Sequence, residues 1–233
     1  MTELKEFGHI TFVESPRAVN IRVRILHSGL RVTVPTHASR EQAIRFILKE
    51  KDAILNKQHK LRSSHHNVII SEDKPFKTQG FTACVKRAER KDVFFSRQEE
   101  RLDIYLPQQA NLNDKVIQDV CWKGIIYFMR KDARKILPEK TQFWANEFGF
   151  HYSSVKIQSS KSRWGSCSRS GSINLSLYLM MLPMHLIDYV ILHELCHTRE
   201  MNHSDKFWQL MDRVTDGKSK RYRAEIKKYH MPE

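Results

Sequence analysis

The 233-residue chain carries 40 Lys and Arg against 26 Asp and Glu, a net charge of +14, and is 40% hydrophobic. That length suits one sizeable core or two modest ones. The longest apolar run, "INLSLYLMMLP" (173–183), is too short and too interrupted to span a bilayer, and "MTELKEFGHITF" lacks a signal-peptide core, so no membrane partner and a cytoplasmic location are expected.

Four scattered cysteines, Cys84, Cys121, Cys167 and Cys196, form no C-x-x-C pair, which argues against a disulfide framework or a cysteine zinc site. The excess positive charge makes a nucleotide or nucleic acid a candidate partner. The densest basic stretches, "KRAERK" (86–91) and "KSKRYRAEIKK" (218–228), each contain an acid, as solvated surfaces do.

In chain order, "NIRVRIL" (20–26) and "LRVTV" (30–34) alternate apolar and polar residues around Gly29, which predicts a hairpin with the glycine in its turn. Ser39 with Gln42 is a capping-box pattern ahead of Ile44, Ile47 and Leu48, so a helix starts there. Residues 59–80 read as a polar connector that holds the tandem His65–His66, expected in solvent. "FTACVKRA" (81–88) and "RLDIYLP" (101–107) are strand candidates. From about Asn111 the pattern turns helical, with one segment over 113–137 that ends before Pro138 and a second that runs to Gly149. "SSVKIQ" (153–158) and "SINLSLYL" (172–179) then bracket the loop "SSKSRWGSCSRSG" (159–171), and Pro183 opens another helix. The predicted boundary lies near residue 110, between a mostly β region with one helix (1–110) and a second domain (111–233).

That last helix carries "HELCH" (193–197), followed by His203. On a helix, His193 and His197 lie one turn and about 6 Å apart on one face, a spacing that suits two nitrogen ligands on one zinc ion. Glu194, about 100° around the helix, can reach a metal-activated water without being a ligand. An unbroken helix would carry His203 roughly 9 Å further along and onto another face, so the chain must turn to make it a third ligand. Asn202 tolerates a left-handed helix end, and Ser204 is an N-cap ahead of Phe207, Trp208, Leu210 and Met211. The expectation is a three-histidine Zn2+ site with an open fourth position for water. The gap from His197 to His203 matches that of metzincins, but Glu200 stands where they carry Gly, so membership there is rejected. Glu200, Asp205 and Glu225 remain substitutes for His203 or partners of the ligands.

The stretch 162–211 resembles the YgjP-like metallopeptidases, a zincin group distantly related to SprT-like and WLM proteases. The resemblance rests on "RWGSCS" (163–168), "GSINLSL" (171–177), Asp188–Tyr189, "HELCH" and "NHSDKFW" (202–208), with "RVTVPTHASREQAIRFILKEKDAIL" (31–55) similar to the family's N-terminal strand-to-helix unit. It implies an α+β, zincin-like catalytic domain with an active-site helix and antiparallel strands. It also implies zinc held by His193, His197 and His203, with Glu194 as general base for peptide hydrolysis. Ser176 departs from the asparagine that family members tend to carry there. In "RWGSCS" a packed Trp164 and a tight turn at Gly165 are expected. The strand at 172–179 is a candidate edge for an extended peptide substrate, and Tyr222, Tyr229, Arg221 and Arg223 are candidate oxyanion donors. Two alternatives stay open: hydrolysis of a nucleotide phosphoanhydride at the same site, and a DNA-associated protease or nucleic-acid-binding protein with structural zinc.

Overall fold

The computed structural model describes residues 2–26, 29–64 and 69–232; His65 and His66 lie outside the described residues. The chain forms two compact units, residues 1–66 and 67–233.

In the first unit, β1 (His9–Ser15), β2 (Arg22–Leu26) and β3 (Gly29–Pro35) form a sheet of order β1-β3-β2. The predicted hairpin is β2–β3, antiparallel, with Leu26 opposite Gly29. Gly29 is the first residue of β3 rather than a turn residue. Its φ is 150°, and a Cβ there would lie 1.9 Å from the His9 carbonyl oxygen. Only glycine lets β1 run parallel to β3 at that separation. β1 itself was legible in the alternation of Ile10 and Phe12 but was not predicted.

Helix α1 (Arg40–Lys49) starts at the predicted capping box: the Gln42 N–H donates to Ser39 Oγ at 3.2 Å, and the Ser39 N–H donates to Gln42 Oε1 at 2.8 Å. A second helix, α2 (Lys51–Ser64), occupies the start of the predicted connector. Ala43, Ile47 and Ile54 close a core with Phe7, Leu30, Val32 and Val34. This core is small and separate.

The second unit begins with β4 (Phe76–Lys77), β5 (Thr82–Ala88), β6 (Phe94–Gln98) and β7 (Arg101–Pro107), in the order β4-β5-β7-β6 with β5 and β7 parallel. Helix α3 (Lys115–Phe148) packs on this sheet. Leu102, Ile104 and Leu106 share one core with Cys121, Ile125 and Met129, so residue 110, the expected boundary, lies inside the unit. Proline was expected to end the helix, since it removes one backbone bond and crowds the carbonyl four residues back. Instead α3 runs through Pro138, because a buried stripe continues across it: Cys121, Ile125, Met129, Ala133, Leu137, Thr141 and Ala145. Each four-residue step advances that stripe by about 40°. The first half therefore faces the sheet, where Phe81 meets Phe128, and the second half faces other elements.

Those elements are β8 (Ser154–Gln158), β9 (Gly165–Cys167), β10 (Ser172–Ser176) and the helices α4 (Met184–Cys196), α5 (Asp205–Val214) and α6 (Ser219–Ile226). β10 pairs parallel with β8 and antiparallel with β9. The predicted strand 172–179 stops at Ser176, where Leu177–Met181 winds into a buried 3-10 turn. Pro183 caps α4.

Asp188 of α4 accepts hydrogen bonds from Lys140 Nζ (2.7 Å) and Trp144 Nε1 (2.8 Å) of α3. Asp188→Ala is expected to destabilise the protein by about 1–3 kcal/mol in chemical unfolding, since it strands a partly buried ammonium and an indole N–H. A loss within about 0.5 kcal/mol would show that the two helices do not depend on this contact. Among the described residues no helix is long and apolar enough to cross a membrane.

Candidate metal centre

Helix α4 ends one residue before His197, whose N–H still donates to the His193 carbonyl. The chain then tightens, with Thr198 N–H donating to Leu195 O and Arg199 and Glu200 N–H to Cys196 O. Ser204 caps α5 as predicted, its hydroxyl accepting from the Phe207 N–H. The reversal is made without a left-handed Asn202, since Glu99 and Asp216 are the non-glycine residues at positive φ among those described. It swings His203 back over the helix end. His193, His197 and His203 form a cluster with one potential ligand atom each, all within 4.8 Å of one another. His193 Nε2 lies 3.2 Å from His197 Nε2 and 3.0 Å from His203 Nε2.

These separations suit a shared ion. Two nitrogens about 2.0 Å from one tetrahedral zinc lie roughly 3.3 Å apart. On His197 the remote nitrogen, Nδ1, sits 3.0 Å from the Glu200 carbonyl oxygen. An N–H there fixes the tautomer and leaves the Nε2 lone pair facing the cluster. Among the described residues none pairs with the buried His193 Nδ1. Burial, then the charges of His197, His203 and Arg223, push His193 down to about 3. Burial also lowers His197, against the opposing pull of the Glu200 carbonyl. Both imidazoles are neutral at physiological pH, as metal ligands must be.

Phe207, read from sequence as helix core, is fully buried and lies under the site, its ring centre 4.6 to 4.9 Å from all three imidazoles. Trp208 stacks on His203 at 5.8 Å. None of Glu200, Asp205 and Glu225 joins the cluster; the Glu225 carboxylate is 2.9 Å from His185 Nε2.

Glu194 is 5% exposed and lines a cleft of about 510 Å³ together with His193, His203, Trp164, Trp208 and Arg223. Burial pushes its carboxyl up to about 8, with Arg163 pulling the other way; a nearby dication would pull it further down. Its neighbour is strand β9. Gly165, expected in a tight turn, is extended there, and a Cβ on it would lie 2.6 Å from Glu194 Oε1 and 2.7 Å from Cγ. The glycine of "RWGSCS" thus has a steric reason that lies 29 positions further along the chain. Trp164 is half-buried, packing on the core while it lines the cleft.

The predicted strand edge also needs correction, since β10 is the middle strand, with β9 and β8 as the edges. Ser176 is buried and donates to the Ser160 carbonyl at 2.7 Å, so it holds the loop before β9 rather than lining the cleft. Of the four oxyanion candidates only Arg223 lines the cleft, and Tyr189 joins it there.

The family model for the YgjP-like metallopeptidase domain matches residues 19–229. No curated protein matches the chain significantly. Among solved structures, the metallopeptidase zymogen of Pyrococcus abyssi, abylysin, is 23% identical, covering 39% of this chain and 91% of its own, with a TM-score of 0.36. That of Methanocaldococcus jannaschii, jannalysin, is 21% identical, covering 40% and 95%, again with a TM-score of 0.36.

Proposed function

Because the chain belongs to the YgjP-like metallopeptidases, we propose that it is a zinc-dependent peptidase in which His193, His197 and His203 hold the ion and Glu194 is the general base. The observation that carries this reading is the convergence of three imidazole Nε2 atoms beside a buried carboxylate in an open cleft. When bound there, zinc supplies acidification of a water and polarisation of a carbonyl. Glu194 accepts the proton of the attacking water on its carboxylate and delivers it to the nitrogen of the leaving amine. Arg163 favours the ionised carboxylate that this first transfer needs. The Glu200 carbonyl holds His197 in one tautomer, and Phe207 and Trp208 fix the ring planes. An extended substrate would pair along β9, the sheet edge against which Glu194 packs.

The test is elemental analysis of the purified protein alongside cleavage of an unbiased peptide library. About one zinc per chain with amide hydrolysis is expected. Failure to take up metal removes the reading. Turnover of a nucleoside triphosphate without peptide cleavage would reassign the electrophile from amide to phosphoanhydride.

Gly165→Ala is expected to keep the metal and the fold while lowering turnover by at least about tenfold. The new methyl displaces the Glu194 carboxylate, and a misplacement near 1 Å can cost up to a hundredfold. Metal content, circular dichroism and kcat on one preparation decide it; unchanged kcat would mean that Glu194 tolerates the shift.

A further inference from the structure

We propose that the cleft selects substrates with a carboxylate beside the scissile amide, and that Arg163 and Arg223 bind it. This deepens the peptidase reading and rests on it.

Elsewhere in the second unit, several arginines are engaged by protein groups, whether half-buried like Arg87 and Arg97 or exposed like Arg101 and Arg199. Arg87 pairs with Glu72, Arg97 with Asp132 and Arg101 with Asp103, while Arg199 donates to the carbonyls of Phe148 and Gly149. Arg163 and Arg223 differ. Both line the cleft, and among the described residues neither makes an ion pair or a hydrogen bond to a protein group. Among the described residues Glu194 is the one acid lining the cleft, and the proposed catalysis uses it. A dication bound by the three histidines would add to two guanidinium groups against a single carboxylate. Like charges that line one cleft repel one another, and an anionic group on the substrate is what offsets them.

Arg223 is also held for the task. Its guanidinium lies 4.6 Å above the centre of the Trp208 ring, and Trp208 in turn stacks on His203. That contact uses none of the guanidinium N–H groups, and a carboxylate accepts from two of them at once. A cation–π contact already made in the free protein lowers the ordering cost of binding. Arg163 reaches the cleft from the opposite end of the chemistry's sequence, two residues before the Gly165 that packs on Glu194. The carboxylate has two sources in a peptide: an Asp or Glu side chain, or a free C-terminus.

The experiment compares kcat/KM of the zinc-loaded full chain on peptides that differ only in Glu or Gln flanking the cleaved bond, and only in a free or amidated C-terminus. A preference of about tenfold or more for the charged member of one pair is expected, from the strength of charge-assisted hydrogen bonds; which pair shows it names the source. Arg163→Gln and Arg223→Gln should bring that ratio toward one. A ratio near one in the wild type overturns the proposal, and so does a ratio that both variants leave unchanged. The latter would make Arg223 an oxyanion donor that acts on every substrate alike. If no peptide is cleaved, the peptidase reading fails, and carboxylate recognition is judged separately by calorimetric Kd of the same peptides. Equal Kd values for charged and amide members overturn it; a preference that the arginine variants abolish sustains it. Binding of a nucleoside triphosphate with no carboxylate preference overturns it in favour of a phosphate ligand.

Discussion

Glu194→Gln is expected to keep its zinc and to lose at least about a hundredfold in turnover, the usual range for removing a general base. The amide fills the same volume but cannot take a proton from water, and Glu194 is not among the clustered ligand atoms, so the ion should stay. The same variant carries an internal control for folding. In the metal-free protein burial raises the Glu194 pKa from 4.5 to about 8. The neutral carboxyl is therefore the form the fold accepts. Stability is fully present below pH 4.5, where folded and unfolded chains both hold the proton, and is lost as pH rises through about 8. The loss levels off above that value at roughly 3–5 kcal/mol. Glutamine has no such dependence. Metal-free Glu194→Gln should unfold at a higher midpoint than metal-free wild type at pH 8.5, and the gap should shrink toward pH 5. Inactivity with a pH-independent gap would point to some other defect, and activity near that of wild type would end the assignment of Glu194 as base.

His203→Ala is expected to strip the ion at concentrations where the wild type is saturated, with affinity falling by more than about a hundredfold. Removing a ligand's outer partner already costs ten- to a hundredfold, and a ligand itself contributes more. His203 is exposed, unlike His197, which is 8% exposed, so the metal-free variant should match metal-free wild type to within about 0.5 kcal/mol. Zinc titration against a chelator, with unfolding curves on the same samples, separates the two effects. Undiminished affinity would reduce the site to two histidines. Because the ligands must be neutral, binding should also weaken as pH falls.

The histidine cluster could be read from sequence because its logic is local. His193 and His197 follow from helical spacing, and His203 from a turn whose cap, Ser204, is a four-residue signal. What surrounds the cluster could not be read this way. Gly165 touches Glu194 across 29 residues of chain, and Arg223 meets Trp208 by tertiary packing; neither leaves a trace in spacing. The same limit explains the errors of fold. Leu177–Met181 is apolar enough to extend a strand, yet it winds into a 3-10 turn in which Leu177, Tyr178, Leu179 and Met180 are all buried, a difference that periodicity over five residues cannot register. Pro138 is a strong stop signal overruled by burial on either side of it. Whether β10 lies at an edge or in the middle depends on sheet order, which depends on pairings between distant segments.

The three proposed ligands span eleven consecutive residues, and this has a kinetic consequence. Closing so short a segment costs little chain entropy, so an ion could be captured by the α4–α5 reversal while much of the chain is still unfolded. The pieces that would make the captured ion productive arrive from far along the sequence: β9 from before it, α6 from after it. Refolding with zinc present should thus show metal uptake ahead of the recovery of turnover, with the interval set by the docking of those two elements.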